Sequence, residues 1–381
     1  MRVLFLQRQP CIRALKYAVA LRSARPDISL AFAYQGITLT EFYGSGDELF
    51  DQWWNLGTEA HPAMALRQAV AEFQPDLIHS HNLPDSLTVL ALEAVDGDIP
   101  VIHDVHDMQS LRRTPYHDGF PEPADPVAME KRAIEGSAAL VTISPELVDE
   151  IAARYELPED VLTFANYALA RDLPAELPTT MADVSRPLRV VYEGSLGADG
   201  GHYDLRAIFS ALVQQGVQLD IYPARPAVEY ETLAGNTPGM RYHEPLEPSE
   251  LLKRLPEYDF GWAGFNAGLN GAHLDTCLPN KVFEYVGCGL PILTLGHAAL
   301  VRLIREEGIG VSLDRVDTLS ERLANVDLGE LRERIAACRH RLTTEANIRR
   351  LLALYERVAG LGEVSDPEIA AVGFEPTTRG L

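Results

Sequence analysis

Short apolar runs alternate with longer amphipathic stretches along nearly the whole chain, and this alternation restricts the fold more than any other feature. Runs at 3–6, 28–33, 77–79, 100–103 and 139–143 read as buried strands, with helical spacing at 66–73, 83–94, 126–137 and 145–155. Successive strands that each need a helical crossover pair in parallel, and the helices cover both faces of the sheet. The stretch 169–188 breaks the rhythm with Pro174, Pro178 and Pro187 and reads as a linker. A second set of strands then follows at 188–192, 218–222, 259–263, 291–295 and 310–313. Its helices are expected at 204–215, 248–254, 281–287, 298–306 and 318–340. The 381 residues suit two domains. The predicted architecture is α/β, with two Rossmann-like doubly wound domains facing across a cleft. They occupy residues 1–170 and 188–343, joined by a linker at 171–187. Ligands of such sheets bind at the carboxyl ends of the strands.

Charge narrows the partners. With 33 Lys+Arg against 55 Asp+Glu, the formal net charge is −22, which argues against sequence-independent nucleic-acid binding. It argues equally for weak or no electrostatic docking on an anionic membrane. Only Lys16, Lys131, Lys253 and Lys281 are lysines, so a lysine at a motif position is informative. Cys11, Cys277, Cys288 and Cys338 are too scattered for a disulfide framework, which fits a reducing compartment. The apolar opening is broken by Arg8, and no stretch approaches the length of a membrane span. The expectation is a cytoplasmic protein, at most peripheral to the inner face of the membrane.

The segment 278–293, LPNKVFEYVGCGLPIL, reads as a loop, a short helix starting near Pro279, a stop at Gly287 and Gly289, and a buried strand. A helix start offers free N–H groups to an anion, and Lys281 reinforces it. Glu284, one turn on, can accept hydrogen bonds from a diol such as ribose. Phosphate and ribose at one helix start suggest a nucleotide, although an ordinary capped helix with a Lys–Glu pair has the same spacing.

This segment resembles the donor-site signature of GT-B glycosyltransferases, particularly the retaining family-four (group 1) enzymes. The resemblance runs on through PDLIHSH at 75–81, VIHDVHD at 101–107, ALVTIS at 139–144, Asn166 and VVYEGSL at 190–196. It implies an enzyme of the hexosyltransferase type that moves a sugar from a nucleotide-diphosphate sugar to the hydroxyl of a glycan, lipid-linked glycan or small molecule, as in polysaccharide biosynthesis. Retention and independence of metal are implied, with no cofactor beyond the donor substrate. Glu284 would bind the donor ribose, Lys281 would face the diphosphate, and Gly194 and Ser195 would form the loop beneath the phosphates. Asn280, Leu278 and Thr276 complete the implied donor site. His106 and Asp107 are the implied catalytic residues, with His106 at the sugar end of the cleft. His81, Asn82, Trp53 and Tyr116 fall on the acceptor side. Residues 344–360 would form a helix crossing back onto the first domain, and 361–381, rich in Gly, Pro and Glu, a flexible tail.

Three features depart from the family pattern. Thr276 stands where many relatives have a first glutamate eight positions before Glu284. Ser195 and Gly200 stand where an arginine and a lysine usually contact phosphate, leaving Lys281, with Arg206 and Arg225 as candidate substitutes. Gln7-Arg8-Gln9-Pro10 replaces a glycine-rich loop. These departures keep open a non-catalytic nucleotide-sugar or carbohydrate-binding protein, and a GT-B enzyme with inverting or epimerase chemistry. His79, His81, His103, Asp104, His106 and Asp107 raise a further reading, a metal site of a hydrolase, against ordinary hydrogen-bonded cleft residues. Tyr43, Phe50, Trp53 and Trp54 either line an acceptor site or pack a long loop onto the domain.

Overall fold

A computed structural model describes residues 1–57, 62–113, 124–177 and 186–361. Tyr116, part of the linker at 178–185 and the tail from 362 lie outside the described residues. Two parallel sheets with interleaved helices form the α/β architecture that the alternation predicts.

The first sheet contains β1 (Arg2–Gln7), β2 (Ser29–Tyr34), β3 (Gln52–Asn55), β4 (Leu77–His81), β5 (Val101–Val105), β6 (Ala139–Thr142) and β7 (Asp160–Thr163). Its order is β3-β2-β1-β4-β5-β6-β7, so the order reverses between β1 and β4. The second contains β8 (Arg189–Gly194), β9 (Gln218–Pro223), β10 (Met240–Tyr242), β11 (Phe260–Trp262), β12 (Ile292–Leu295) and β13 (Gly310–Leu313). Its order is β10-β9-β8-β11-β12-β13, reversing between β8 and β11. At each reversal the flanking helices leave in opposite directions and open a crevice, the place where doubly wound sheets bind ligands.

Central strands are buried on both faces and therefore read as continuous apolar runs. Val3, Leu4, Phe5 and Leu6 are all fully buried. On one face of the first sheet, Val3, Phe5 and Phe32 pack with Tyr17 and Leu21 of the Ile12–Ala24 helix. Leu351, Leu354 and Tyr355 of the Thr344–Val358 helix join the same core, although that helix follows the whole second sheet in sequence. Burial of each such side chain contributes roughly 1.5–3 kcal/mol, so this helix ties the end of the chain to its beginning.

The linker is pinned as well. Arg339 donates to the carbonyls of Pro174 (2.7 Å), Ala175 (2.7 Å) and Gly287 (2.8 Å). Leu173 and Leu177 cover Gly287 and Gly289, leaving no room for a Cβ at either glycine.

The helix predicted over 318–340 is broken into Leu319–Leu323 and Leu328–Cys338. Asp327 starts the second piece by accepting from the Glu330 amide, and a residue capping a new helix cannot also continue the old one. Among the described residues, no helix is long and apolar enough to cross a membrane.

Candidate active site

The Asn280–Gly287 helix presents its N-terminus to the crevice of the second sheet, with Pro279 in extended conformation as its cap. No side chain caps it; the Val282 amide donates to the Pro279 carbonyl at 3.1 Å, and the two amides before it, at Asn280 and Lys281, lie ahead of any intrahelical partner, where an anion can meet them. Lys281 is buried, with its Nζ 3.8 Å from the centre of the Tyr192 ring. Gly194 ends β8 at φ +119°, and a Cβ there would lie 3.3 Å from Lys281 Nζ; both facts call for glycine. The Ser195 carbonyl accepts from Tyr192 Oη at 2.5 Å, which fixes the loop after β8.

Burial lowers the Lys281 pKa to about 7 despite the opposing charges of Glu193 and Glu284. Glu193 is buried beside it and held well above the usual carboxylate range, first by burial and then by the charge of Glu284. A neutral Glu193 removes the repulsion that an ionised carboxylate would exert on a diphosphate at this loop.

Lys16 enters the same place from the opposite domain. It lies in the Ile12–Ala24 helix and donates to Asn280 Oδ1 at 2.9 Å, with Glu284 Oε1 4.0 Å away. The other residues named from the sequence also meet at this junction. Leu278 is buried, and its carbonyl accepts from Asn166 Nδ2 at 2.8 Å. Thr276 is buried, and its carbonyl accepts from Ser144 Oγ at 2.6 Å. Ser144 belongs to the first domain, so this bond joins the two domains, while the Thr276 hydroxyl donates to the His273 carbonyl within the second.

At the ends of β4 and β5, Asn82 organises the turn. Its Oδ1 accepts from the His106 amide at 3.0 Å, and its carbonyl meets His106 Nε2 at 2.5 Å. His106 Nδ1 lies 3.4 Å from Asp104 Oδ1. Asp107 pairs with His273 of the second domain at 3.2 Å. Burial pushes its carboxyl up, but the charges of His273 and Arg112 leave it below the usual range.

The histidine group predicted as a possible metal site is split by the two-residue period of the strands. His103 faces one side of the sheet, paired with Asp85 at 3.0 Å and Thr88 at 3.0 Å. His79, His81 and Asp104 face the other, where their ligand atoms lie within 4.8 Å of one another. Asp107, His273 and Cys277 form a second such group. On Asp104, however, the Arg13 guanidinium already sits at 3.0 and 3.2 Å and supplies the cation.

Two residues named for the acceptor side are engaged in packing. His81 is fully buried and stacked on His79, because its strand period turns it toward the Ile12–Ala24 helix rather than the open cleft. Trp53 belongs to the edge strand β3, stacks on Phe32 with centroids 5.0 Å apart, and donates to the Asp47 carbonyl. Its ring is taken up in packing.

Two facing Rossmann-like domains with this cleft define a glycosyltransferase of the GT-B fold. Residues 16–167 match the glycosyl transferase 4-like domain, and residues 203–353 match the glucosyltransferase 3-like C-terminal domain. Between them these glycosyltransferase models take in most of the chain, whose fold is that of the family-four-like (group 1) GT-B glycosyltransferases. No curated protein matches the chain in sequence.

Among solved structures, the chain is similar to sucrose-phosphate synthase from Thermosynechococcus elongatus, with a TM-score of 0.69 at 12% identity over 95% of this chain and 100% of that one. The lipopolysaccharide outer core galactosyltransferase WaaB gives 0.67 at 12% identity, covering 94% and 100%. HepE of Anabaena, solved with UDP-glucose, gives 0.64 at 14% identity, covering 93% and 100%. At these identities the likeness is one of fold.

Proposed function

We propose that the protein transfers a sugar from a nucleotide-diphosphate sugar to an acceptor hydroxyl, with retention of anomeric configuration. The observation that carries this reading is the uncapped start of the Asn280–Gly287 helix, bracketed by Lys281 against Gly194 and by Glu284 one turn on. Helix amides and Lys281 would meet the diphosphate, and Glu284 the ribose hydroxyls. The neighbour HepE was solved with UDP-glucose, a ligand of this class.

In the step we infer, the bond from the anomeric carbon to the diphosphate oxygen breaks and the acceptor oxygen bonds to that carbon on the same face. The acceptor proton passes to the departing diphosphate. Charge grows on the diphosphate, where preorganised amides and ammonium groups stabilise it without a divalent ion. His106, aligned by Asn82 and Asp104, would position the sugar end.

The test is a thermal-shift panel of nucleotide sugars, followed by NMR of the anomeric product. Ligands that bind the native state raise its apparent stability. Glu284→Ala is expected to weaken the preferred donor about tenfold or more by removing the ribose acceptor, with unchanged unfolding temperature. Equal affinity in calorimetry would overturn the assignment.

Donor affinity is also expected to fall as pH rises. Lys281 loses its proton through about 7 in the free protein, and a bound diphosphate favours the charged form. The complex therefore holds a proton that the free protein has released, and affinity drops by up to about tenfold per pH unit above neutrality. Ionisation of Glu193 adds negative charge and acts in the same direction. Calorimetry between pH 6 and 9 measures the slope, and a flat profile contradicts a diphosphate on Lys281.

A further inference from the structure

We propose that Lys16 is a donor-binding cation, delivered from the opposite domain to contact the diphosphate where the loop after β8 carries none. The inference rests on the nucleotide-sugar reading above and adds a residue to it. Ser195 and Gly200 provide no charge in that loop. The nearby arginines are engaged elsewhere. Arg206 is held by Asp204 at 2.6 and 2.9 Å and by the Ala198 carbonyl. The Arg225 guanidinium lies over the Phe42 ring at 5.8 Å.

Lys16 has the opposite character. It is buried in the Ile12–Ala24 helix, and its Nζ reaches Asn280, the first residue of the donor helix, at 2.9 Å. That places an ammonium within one hydrogen bond of the amides that face an anion at a helix start. Lys281 stands beside the same turn over Tyr192 and Gly194, so two ammonium groups flank one N-terminus. An ammonium has three N–H donors, and the hydrogen bond to Asn280 uses one. The closest carboxylate oxygen, on Glu284, is 4.0 Å away, too far for a hydrogen bond.

Burial lowers the Lys16 pKa, and the Glu284 charge only partly opposes this. A buried ammonium in that condition gains when an anion arrives. The neighbours agree: Lys281 flanks the same turn, and burial holds Glu193 well above the usual carboxylate range, which reduces the negative charge that a diphosphate would meet. Because Lys16 and Lys281 belong to different domains, a diphosphate between them would also hold the cleft closed.

The experiment uses the full chain and whichever of UDP, ADP, GDP or dTDP raises its unfolding temperature most, with the parent nucleoside as control. Lys16→Gln keeps a side chain able to bond Asn280 and removes the charge. It is expected to weaken the nucleoside diphosphate about tenfold or more while leaving the nucleoside within about twofold. Lys16→Arg restores the charge and is expected to recover most of the loss. Equal affinity of Lys16→Gln and parent for the diphosphate overturns the proposal, as does an equal loss for nucleoside and diphosphate, which would mark an interdomain tie. If Lys281→Met weakens the diphosphate and Lys16→Gln does not, only the role of Lys16 falls. If the parent binds none of the four diphosphates, the nucleotide-sugar reading falls with it.

Discussion

His106→Ala is expected to lower turnover about 10²–10⁴-fold, the range for loss of a positioned group that acts on the reacting atoms. Donor affinity should change by less than about threefold, because Lys281 and Glu284 lie on the other domain and Lys16 is on a different helix with no bond to His106. The geometry separates the two effects. His106 follows β5 at the carboxyl end of the first sheet, where its amide donates to Asn82 Oδ1 and its ring is set between the Asn82 carbonyl and Asp104. Lys281 and Glu284 sit on the Asn280–Gly287 helix of the second domain. Slow release of nucleoside diphosphate without acceptor measures turnover before any acceptor is identified, and calorimetry measures affinity. Turnover equal to the parent would make His106 a structural residue of the turn. A parallel loss of donor affinity would move it into the nucleotide site.

The donor half of this site was legible in the sequence because its groups lie close together on one short helix. Pro279, Lys281 and Glu284 carry their chemistry within two turns, and the strand that follows is continuously apolar. The N-terminal half was harder to read for a physical reason. The Ile12–Ala24 helix is buried over nine residues, including Arg13, Lys16 and Tyr17, so it lacks the polar face from which an amphipathic helix is recognised. Its charged residues look like a solvent face and are instead the partners of Asp104 and Asn280. The scarcity of lysine was the usable signal, since Lys16 is one of only four.

Three strands were missed, β3, β7 and β10, and each is at an edge of its sheet. Edge strands are short and half-exposed, so Gln52–Asn55 or Met240–Tyr242 contain no buried run to detect. Among the histidines, strand period, not proximity in sequence, decides which of them meet.

Arg13→Leu is expected to cost about 3–5 kcal/mol of folding stability, the usual loss when one partner of a buried ion pair is removed. Arg13 donates through Nε to both oxygens of Asp104, through Nη1 to the Ala165 carbonyl and Asn166 Oδ1, and through Nη2 to the Phe164 carbonyl. Asp104 is fully buried beneath it, with Tyr17 Oη donating at 3.0 Å. Burial pushes the Asp104 carboxyl up, but Arg13, with His106 and His79, holds it well below the usual carboxylate range. In the parent, this depressed value contributes stability that is present above the unfolded carboxylate pKa of about 4 and lost as pH falls through the folded value. Without Arg13, burial dominates and the folded value rises above the unfolded one. The folded variant then binds a proton that its unfolded chain releases, so its stability falls as pH rises. The stability difference between parent and variant should therefore widen from pH 5 to pH 8, as urea denaturation followed by circular dichroism would measure. A constant difference, or one below about 1 kcal/mol, would mean that the tyrosine and histidines alone carry the Asp104 charge. The same guanidinium orients Asn166, whose amide holds Leu278 just before the donor helix, so this core charge pair also sets the position of the nucleotide site.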